Sequence, residues 1–265
     1  MTLTVQKVDP GDYTAIAPQL GTAGSIDTYA AIDLLGEPEK CTLHVARKGG
    51  RIVAYLHLYQ NTLSIYRLAG DAEGAAELLG SLKSGPSIMT CPNHLLPVVR
   101  SIFPDAPSYL EHLMVVDRGF LHASGAEHAQ RLSPADAQAL YELYSSGEFA
   151  SRTAFNSVDS YRKSLETQSI FGIRAGGEIV SVATAFAGNS LIGMVGSVFT
   201  AREHRGKGYG TAVTSAATME VLRNAQRSML YVRIDNAPAI KAYQKIGYRE
   251  AEVWAFFDFW TNIVP

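Results

Sequence analysis

Thr200-Ala-Arg-Glu-His-Arg-Gly-Lys-Gly-Tyr-Gly-Thr211 lies between an apolar run, Leu191–Thr200, and a stretch of helical character that continues to about Asn224. Glycines at 206, 208 and 210 let a backbone approach a ligand closely. The start of the following helix presents unpaired N–H groups and the positive end of its dipole. Arg205 and Lys207 add the charge that a pyrophosphate would need. Strand, glycine-rich basic loop and helix together predict a site for a phosphate-containing ligand. It is not a Walker loop, because the Gly-Lys-Ser/Thr ending is missing at the required spacing. It is not a dinucleotide fingerprint either: Thr211 and Val213 stand where the third glycine would fall.

Reading outward, a short strand over His128–Leu132 precedes Ser133-Pro-Ala-Asp136, which opens a helix with Ser at the cap, Pro in the first turn and an acid three residues on. A helix starting near Ser157 is followed by strands at Ile170–Arg174, Glu178–Phe186 and Leu191–Thr200. After the loop and its helix come a strand at Met229–Ile234, a short helix at Pro238–Lys245 and aromatic strands around Val253–Phe259. This predicts an α+β fold with a mixed, mostly antiparallel sheet and flanking helices.

The chain also resembles itself. Arg47-Lys-Gly-Gly-Arg-Ile-Val53 reads against Arg174-Ala-Gly-Gly-Glu-Ile-Val180, 127 residues on (47 to 174), each with β-type residues around a hairpin Gly-Gly pair. Asn61-Thr-Leu matches Asn189-Ser-Leu at an offset of 128 (61 to 189). Ser25-Ile-Asp-Thr-Tyr29 matches Ser157-Val-Asp-Ser-Tyr161 at 132 (25 to 157), each read as the capped start of a helix. Three echoes in one order predict two tandem copies, residues 1–124 and 125–265, meeting near the small polar stretch His122–Glu127.

Nearly half of the 265 residues (47%) are hydrophobic and 18% are charged, a balance that supports a buried core and argues against disorder. A formal net charge of −2 without long runs of one sign gives no support for generic nucleic-acid binding. Cys41 and Cys91 suit a reducing compartment better than a disulfide scaffold. The start lacks the layout of a signal peptide, and no apolar run reaches the ~18 residues of a membrane helix. The expectation is a cytoplasmic protein without membrane or nucleic-acid partners.

Arg205-Gly-Lys-Gly208-Tyr-Gly210 resembles the Arg/Gln-x-x-Gly-x-Gly/Ala pyrophosphate loop of the GNAT superfamily of N-acetyltransferases, although Arg202 and its neighbours include no proline, which many members carry there. Asn236-Ala-Pro-Ala239-Ile-Lys-Ala-Tyr243-Gln-Lys-Ile-Gly247-Tyr248 resembles that family's second coenzyme A motif. The two cover about Ser190–Tyr248. The resemblance implies two tandem GNAT-like domains, with acetyl-CoA as cosubstrate of the second and no metal. Its contacts would be Val198, Phe199, Thr200, Arg205, Gly206, Lys207, Gly208, Tyr209, Gly210, Thr211, Asn236, Ala239 and Tyr243. The pantetheine arm would lie along the strand before the loop, and Tyr243 would face the sulfur as the catalytic residue. The implied partners are acetyl-CoA and an amine acceptor, for a monomer or homodimer.

Direct transfer from thioester to amine needs a neutral amine, a held oxyanion and a stabilised thiolate. A backbone N–H near Val198–Phe199 suits the oxyanion. A phenol of pKa about 10 giving its proton fully to a thiolate of about 8.5 works uphill by about 2 kcal/mol, so a hydrogen bond to the sulfur is the larger part of the role expected of Tyr243. An amine of pKa near 10.4 needs about 4 to 5 kcal/mol to be neutral at pH 7. The strand carboxylate that many family members use as base is missing from Leu191–Thr200, leaving Glu148, Asp159, His204 or a water relay open. Two other functions fit the same motifs: a glycine N-acyltransferase-like enzyme using longer acyl groups, and a non-catalytic acyl-CoA sensor.

In the first copy, Arg67-Leu-Ala-Gly70-Asp-Ala72 satisfies the loop pattern formally, but Asp71 and Glu73 would repel a pyrophosphate at the helix start. Alignment sets Asn93 against Asn236 and Arg100 against Tyr243, so this copy is expected to keep a scaffold without the cofactor site. Cys91 and His94 lack a companion pair of ligands. His44 and His57 read as sheet residues, and Trp254–Trp260 as a core strand or a wall of the acceptor pocket.

Overall fold

The computed structural model describes residues 2–259 apart from 23–24, 27, 61–63, 83–84, 146–156, 187, 189 and 191. The chain forms two compact units that do not follow it contiguously. One runs to Leu113 and takes in the chain again from Ala251; the other is Met114–Glu250.

The first unit contains β1 (Leu3–Lys7), α1 (Tyr13–Ile16), the short strands β2 (Gly21–Thr22) and β3 (Ser25–Ile26), and α2 (Thr28–Gly36). There follow β4 (Cys41–Lys48), β5 (Arg51–Gln60), β6 (Ser64–Gly70), α3 (Ala72–Gly80), β7 (Ile88–Pro92), α4 (Leu96–Ile102) and the start of β8 (Ser108–Asp117). The second holds the end of β8, β9 (Gln130–Arg131), α5 (Ala137–Ser145), α6 (Val158–Thr167), β10 (Ser169–Ala175), β11 (Glu178–Phe186), β12 (Ile192–Thr200), α7 (Tyr209–Asn224), β13 (Arg227–Arg233) and α8 (Ala237–Ile246). The last strand, β14 (Arg249–Asp258), pairs antiparallel with β7 in the first unit, through Trp254↔Pro92 to Asp258↔Ile88. Its Ala255 and Phe257 are buried there among Leu56, Leu68, Met89 and Leu95. The aromatic strand is thus core, as its alternation suggested; Trp260 lies outside the described residues.

Strands run in the order β1-β4-β5-β6-β7-β14 in the first unit and β8-β13-β12-β11-β10-β9 in the second. The β6–β7 and β12–β13 pairs, each joined through a helix, are parallel, and β1–β4, β4–β5, β5–β6, β7–β14, β9–β10, β10–β11 and β11–β12 are antiparallel. A helical crossover is what a parallel connection requires.

The repeated Gly-Gly sequence is repeated in three dimensions. In the first unit β4 and β5 close through Lys48↔Arg51 and Arg47↔Ile52, with a register shift between Ala46 and Arg47. In the second, β10 and β11 close through Ala175↔Glu178 and Arg174↔Ile179, with the shift between Ile173 and Arg174. All four turn glycines have positive φ. Each leading arginine donates to the carbonyl of the second glycine: Arg47 to Gly50 at 2.8 Å and Arg174 to Gly177 at 2.7 Å. The two units thus share the plan of this hairpin.

The other echoes differ in outcome. The Asn61/Asn189 pair lies outside the described residues. Ser157 caps α6 as expected, its hydroxyl accepting from the Ser160 N–H at 3.2 Å. Ser25 does not open a helix. It pairs with Thr22 in the β2–β3 ladder, and α2 begins three residues further on, at Thr28, beyond the position that a cap must hold. Ser133 and Asp136 do form a box, the Asp136 carboxylate accepting from the Ser133 N–H at 2.7 Å.

The second unit is anchored by a buried polar knot. The Tyr248 hydroxyl lies 2.9 Å from Thr218 Oγ1 on α7 and 2.8 Å from Ser228 Oγ on β13. Burial pushes the Tyr248 phenol from its usual 10 up to about 12. Tyr248→Phe leaves the two partner hydroxyls short of a bond and is expected to cost about 1 kcal/mol at pH 7 in denaturant unfolding. The sign at high pH follows: unfolded tyrosine ionises near 10, so stability that is full below pH 10 is lost between pH 10 and 12. The Phe variant should lose less stability over that interval than the parent.

Candidate functional site

Two features of β12 open the sheet of the second unit. Val182 pairs with Phe199 but Thr184 with Gly196, so Ser197 and Val198 both stand opposite Ala183. This is a β-bulge, which leaves an extra residue outside the regular ladder and bends the strand. Among the described residues Ser197 alone has positive φ without being glycine, at 51°. The bulge is fixed from α5, where the Tyr144 hydroxyl donates to the Ser197 carbonyl at 3.0 Å. Second, the parallel pairing of β12 with β13 covers only Ile192↔Arg227, Gly193↔Ser228 and Met194↔Met229. β12 then runs on to Thr200 and β13 to Arg233 without further pairing among the described residues, so the strands part.

The loop follows directly. The Ala201 N–H donates to Val180 O at 2.9 Å, and a single turn at Arg202–His204 brings Arg205 Nε to within 3.1 Å of Thr200 O. Gly206 and Gly208 have φ of 78° and 81°. A methyl at either would meet no atom within 4 Å, so the backbone faces open space and only the dihedral demands glycine. The first backbone bond of α7 runs from the Ala212 N–H to Gly208 O. The N–H groups of Tyr209, Gly210 and Thr211 therefore precede the helical ladder and face out of its end. Lys207 is exposed and forms no ion pair among the described residues. Tyr209 stacks on the His204 ring, centroids 6.3 Å apart. Behind this surface Ala212, Val213 and Ala217 bury α7 against the sheet, which holds the helix end in place.

The second motif forms α8, which packs against α7. Asn236 caps it, its Oδ1 accepting from the Ala239 N–H at 3.3 Å, which leaves its Nδ2 donors for other use. Tyr243 is buried with Met114, Val116, Leu230 and Val232 and meets the Tyr248 ring edge-on at 6.2 Å. Its hydroxyl has no hydrogen-bond partner among the described residues. Burial, with a smaller contribution from Tyr248, pushes its phenol well above the usual 10. Val198–Thr200 and Arg205–Thr211 are thus one continuous strand, loop and helix end, while Asn236, Ala239 and Tyr243 share a single helix beside it.

Of the residues considered as base, Asp159 is exposed at the start of α6 and paired with Arg162. His204 lies in the turn before the loop, and its Nδ1 is buried without a partner among the described residues. Glu148 lies outside the described residues.

The first unit parts its strands in the same way: β6 and β7 pair only at Ile65–Arg67 with Ile88–Thr90. It lacks the loop. Gly70 passes straight to α3, whose end is closed by its own cap, Asp71 Oδ1 accepting from the Gly74 N–H at 2.7 Å. Arg67 is buried, bonded to Thr90 Oγ1 at 3.2 Å and lying 4.0 Å over the Trp254 ring. Arg100, aligned with Tyr243, ties down the chain after α4 by donating to Pro104 O at 2.9 Å. Cys91 is buried and its thiol is pushed up to about 12, whereas the His94 ring contacts Gly70 O at 2.9 Å. Neither has the setting of a metal ligand. His44 and His57 lie on adjacent strands, and His57 is buried.

The bulge and its tether from Tyr144 were not read from the sequence. A signal existed in Gly196-Ser197 inside an apolar strand, since glycine there often marks a bulge; nothing local linked it to Tyr144.

Residues 170–256 match the family model described as FR47-like protein. The chain is 39% identical over 70 residues to the mycothiol acetyltransferase of Corynebacterium aurimucosum, covering 25% of this chain and 23% of that one. It is 38% identical over 63 residues to an N-alpha-acetyltransferase of Sulfurisphaera tokodaii, covering 23% and 38% respectively. The matched stretches span less than two fifths of either relative. In fold, the chain is similar to a tandem GNAT protein from the clavulanic acid biosynthesis pathway, with a TM-score of 0.56 at 17% identity over 97% of this chain and 98% of that one. Residues 170–256 are thus similar to FR47-like proteins, and the fold, with its paired Gly-Gly hairpins and parted parallel strands, is similar to that of a tandem GNAT protein.

Proposed function

We propose that the chain is an N-acetyltransferase that moves the acetyl group of acetyl-CoA directly to a primary amine, with one working site, in the second unit. The observation that carries this reading is the continuous run from the bulged end of β12, through a loop of two left-handed glycines, to the uncapped start of α7. On this reading the copies are residues 1–124 and 125–265. The amides of Gly206–Thr211, with Arg205 and Lys207, bind the pyrophosphate, as helix ends bind anions generally. The pantetheine arm lies in the opening between β12 and β13, against the backbone of Val198, Phe199 and Thr200. Asn236 and Ala239 hold the arm from α8, and Tyr243 meets the sulfur. Amides at Val198–Phe199 hold the oxyanion. The amine attacks the thioester carbon, its proton leaves to solvent or a base, and collapse of the intermediate expels CoA thiolate. The likeness to two acetyltransferases supports acetyl as the group moved; the closed helix end in the first unit supports a single cofactor site.

Calorimetry should find one acetyl-CoA per chain; binding to a second site, or none at all, would count against this reading. Lys207→Glu should weaken that binding about tenfold at low salt and less at high salt, where surface charges are screened. Its effect on stability should stay within about 0.5 kcal/mol, as Lys207 is exposed. In a thiol-release assay over amino acids, amino sugars, polyamines and peptides, Tyr243→Phe should cut turnover about 100-fold while acetyl-CoA affinity changes by no more than about threefold. Unchanged turnover removes Tyr243 from the chemistry. Faster release from longer acyl-CoAs would favour the glycine N-acyltransferase-like function, and tight binding without turnover would favour a sensor.

A further inference from the structure

The peptide between Ser197 and Val198 is held from outside the sheet. Its carbonyl oxygen accepts the Tyr144 hydroxyl at 3.0 Å. The described chain contains no cis peptide, and in a planar trans peptide the C=O and the following N–H point in opposite directions. Whatever fixes the Ser197 carbonyl toward α5 therefore fixes the Val198 N–H away from it. Ser197 is in the left-handed region, which costs a residue with a side chain about 1 kcal/mol, so the peptide is not held by its own preference. The tether itself is well supported. The Tyr144 ring stacks on Tyr161 with centroids 5.6 Å apart and planes at 8°, and meets Phe199 at 5.8 Å. Ala137, Leu140 and Leu143 bury α5 in the core beneath. Burial holds the phenol above its usual range, so it stays protonated and able to donate.

We infer that Tyr144 is a positioning residue for acyl transfer: by locking the Ser197–Val198 peptide it aims the Val198 N–H at the site of the developing oxyanion. The inference rests on the proposed acetyltransferase reading and adds to it a residue outside both cofactor motifs. Nothing in it requires Tyr144 to touch acetyl-CoA.

Tyr144→Phe removes one oxygen and keeps the ring contacts, so folding should survive and the thermal midpoint should move little. With the amine that supports turnover in the panel above, kcat should fall roughly 10- to 100-fold, below the loss for deleting an oxyanion donor outright. KM for acetyl-CoA, and its affinity by calorimetry, should stay within about twofold, the split expected of an interaction made in the transition state. Native-state hydrogen exchange, read at the Val198 amide, should quicken in the variant while amides of α7 keep their protection. A kcat within twofold of the parent, or a KM that rises with kcat unchanged, overturns the positioning role. Unaltered exchange at Val198 overturns the lock. A parent that binds acetyl-CoA but turns over no amine refutes the acetyltransferase reading and this inference with it, an outcome distinct from an active parent with an equally active variant.

Discussion

The parting of β12 from β13 is the constraint on which the rest of the second unit depends. Parallel strands this close ordinarily satisfy each other's backbone groups, and buried backbone groups without partners are costly. Here pairing stops after Met194 and Met229 although both strands continue. An opening of this kind persists only if something else fixes the strand ends. For β12 that is the bulge against Ala183 and the antiparallel pairing with β11 that resumes at Phe199 and Thr200. For β13 it is the layer of Leu222, Tyr243 and Ile246 packed over Leu230 and Val232, with Tyr248 bonded to Ser228 at its base. The chemistry proposed for the unit uses what this leaves exposed: backbone amides on one side and a helix carrying a phenol on the other.

The first unit differs from the second at few points around the proposed site. It keeps the hairpin, its register shift and the parted parallel pair. Asp71 alone lies between β6 and α3, and its carboxylate occupies the helix end that a phosphate would need. Its parallel pair carries Arg67 buried against Trp254, and that tryptophan arrives from the far end of the sequence on β14. The first unit therefore draws on the late part of the sequence, since β14 contributes Ala255 and Phe257 to its core.

Much of this was legible in the sequence, and the parts that were not share a cause. The loop was readable because glycine spacing acts on local backbone geometry: the glycines at 206 and 208, read as giving the backbone freedom to approach a ligand, adopt left-handed dihedrals. The hairpin repeat was readable for the same reason. Helix caps at Ser133 and Ser157 follow from side chains within three residues of the backbone groups they satisfy. What went unseen depended on distant partners. Ser25 is a local misreading instead, since the helix it seems to cap begins only at Thr28. The destination of β14 is not visible in its alternation, which fits either sheet equally. Tyr144 reads as one apolar position of an amphipathic helix, and its bond to a carbonyl 53 residues away has no local signature.

The state of Tyr243 bears on what kind of catalyst this would be. A solvated phenol already lies above a thiol in pKa, so giving up its proton to a leaving thiolate is unfavourable by about 2 kcal/mol. Burial beside Tyr248 moves the phenol further up and enlarges that gap. A buried phenol is correspondingly better at remaining a neutral donor. Its hydrogen bond to a developing thiolate is charge-assisted and strengthens as charge accumulates on the sulfur, which is the differential binding that lowers a barrier. The thiolate would then leave as an anion and take its proton from water after release, and the enzyme would need no acid whose pKa is matched to sulfur. The same logic suits a site without a carboxylate on β12. Where the leaving group departs without a proton, the remaining demand is a neutral amine, and selecting the deprotonated fraction of the acceptor from solution meets that demand at the cost of rate at low pH.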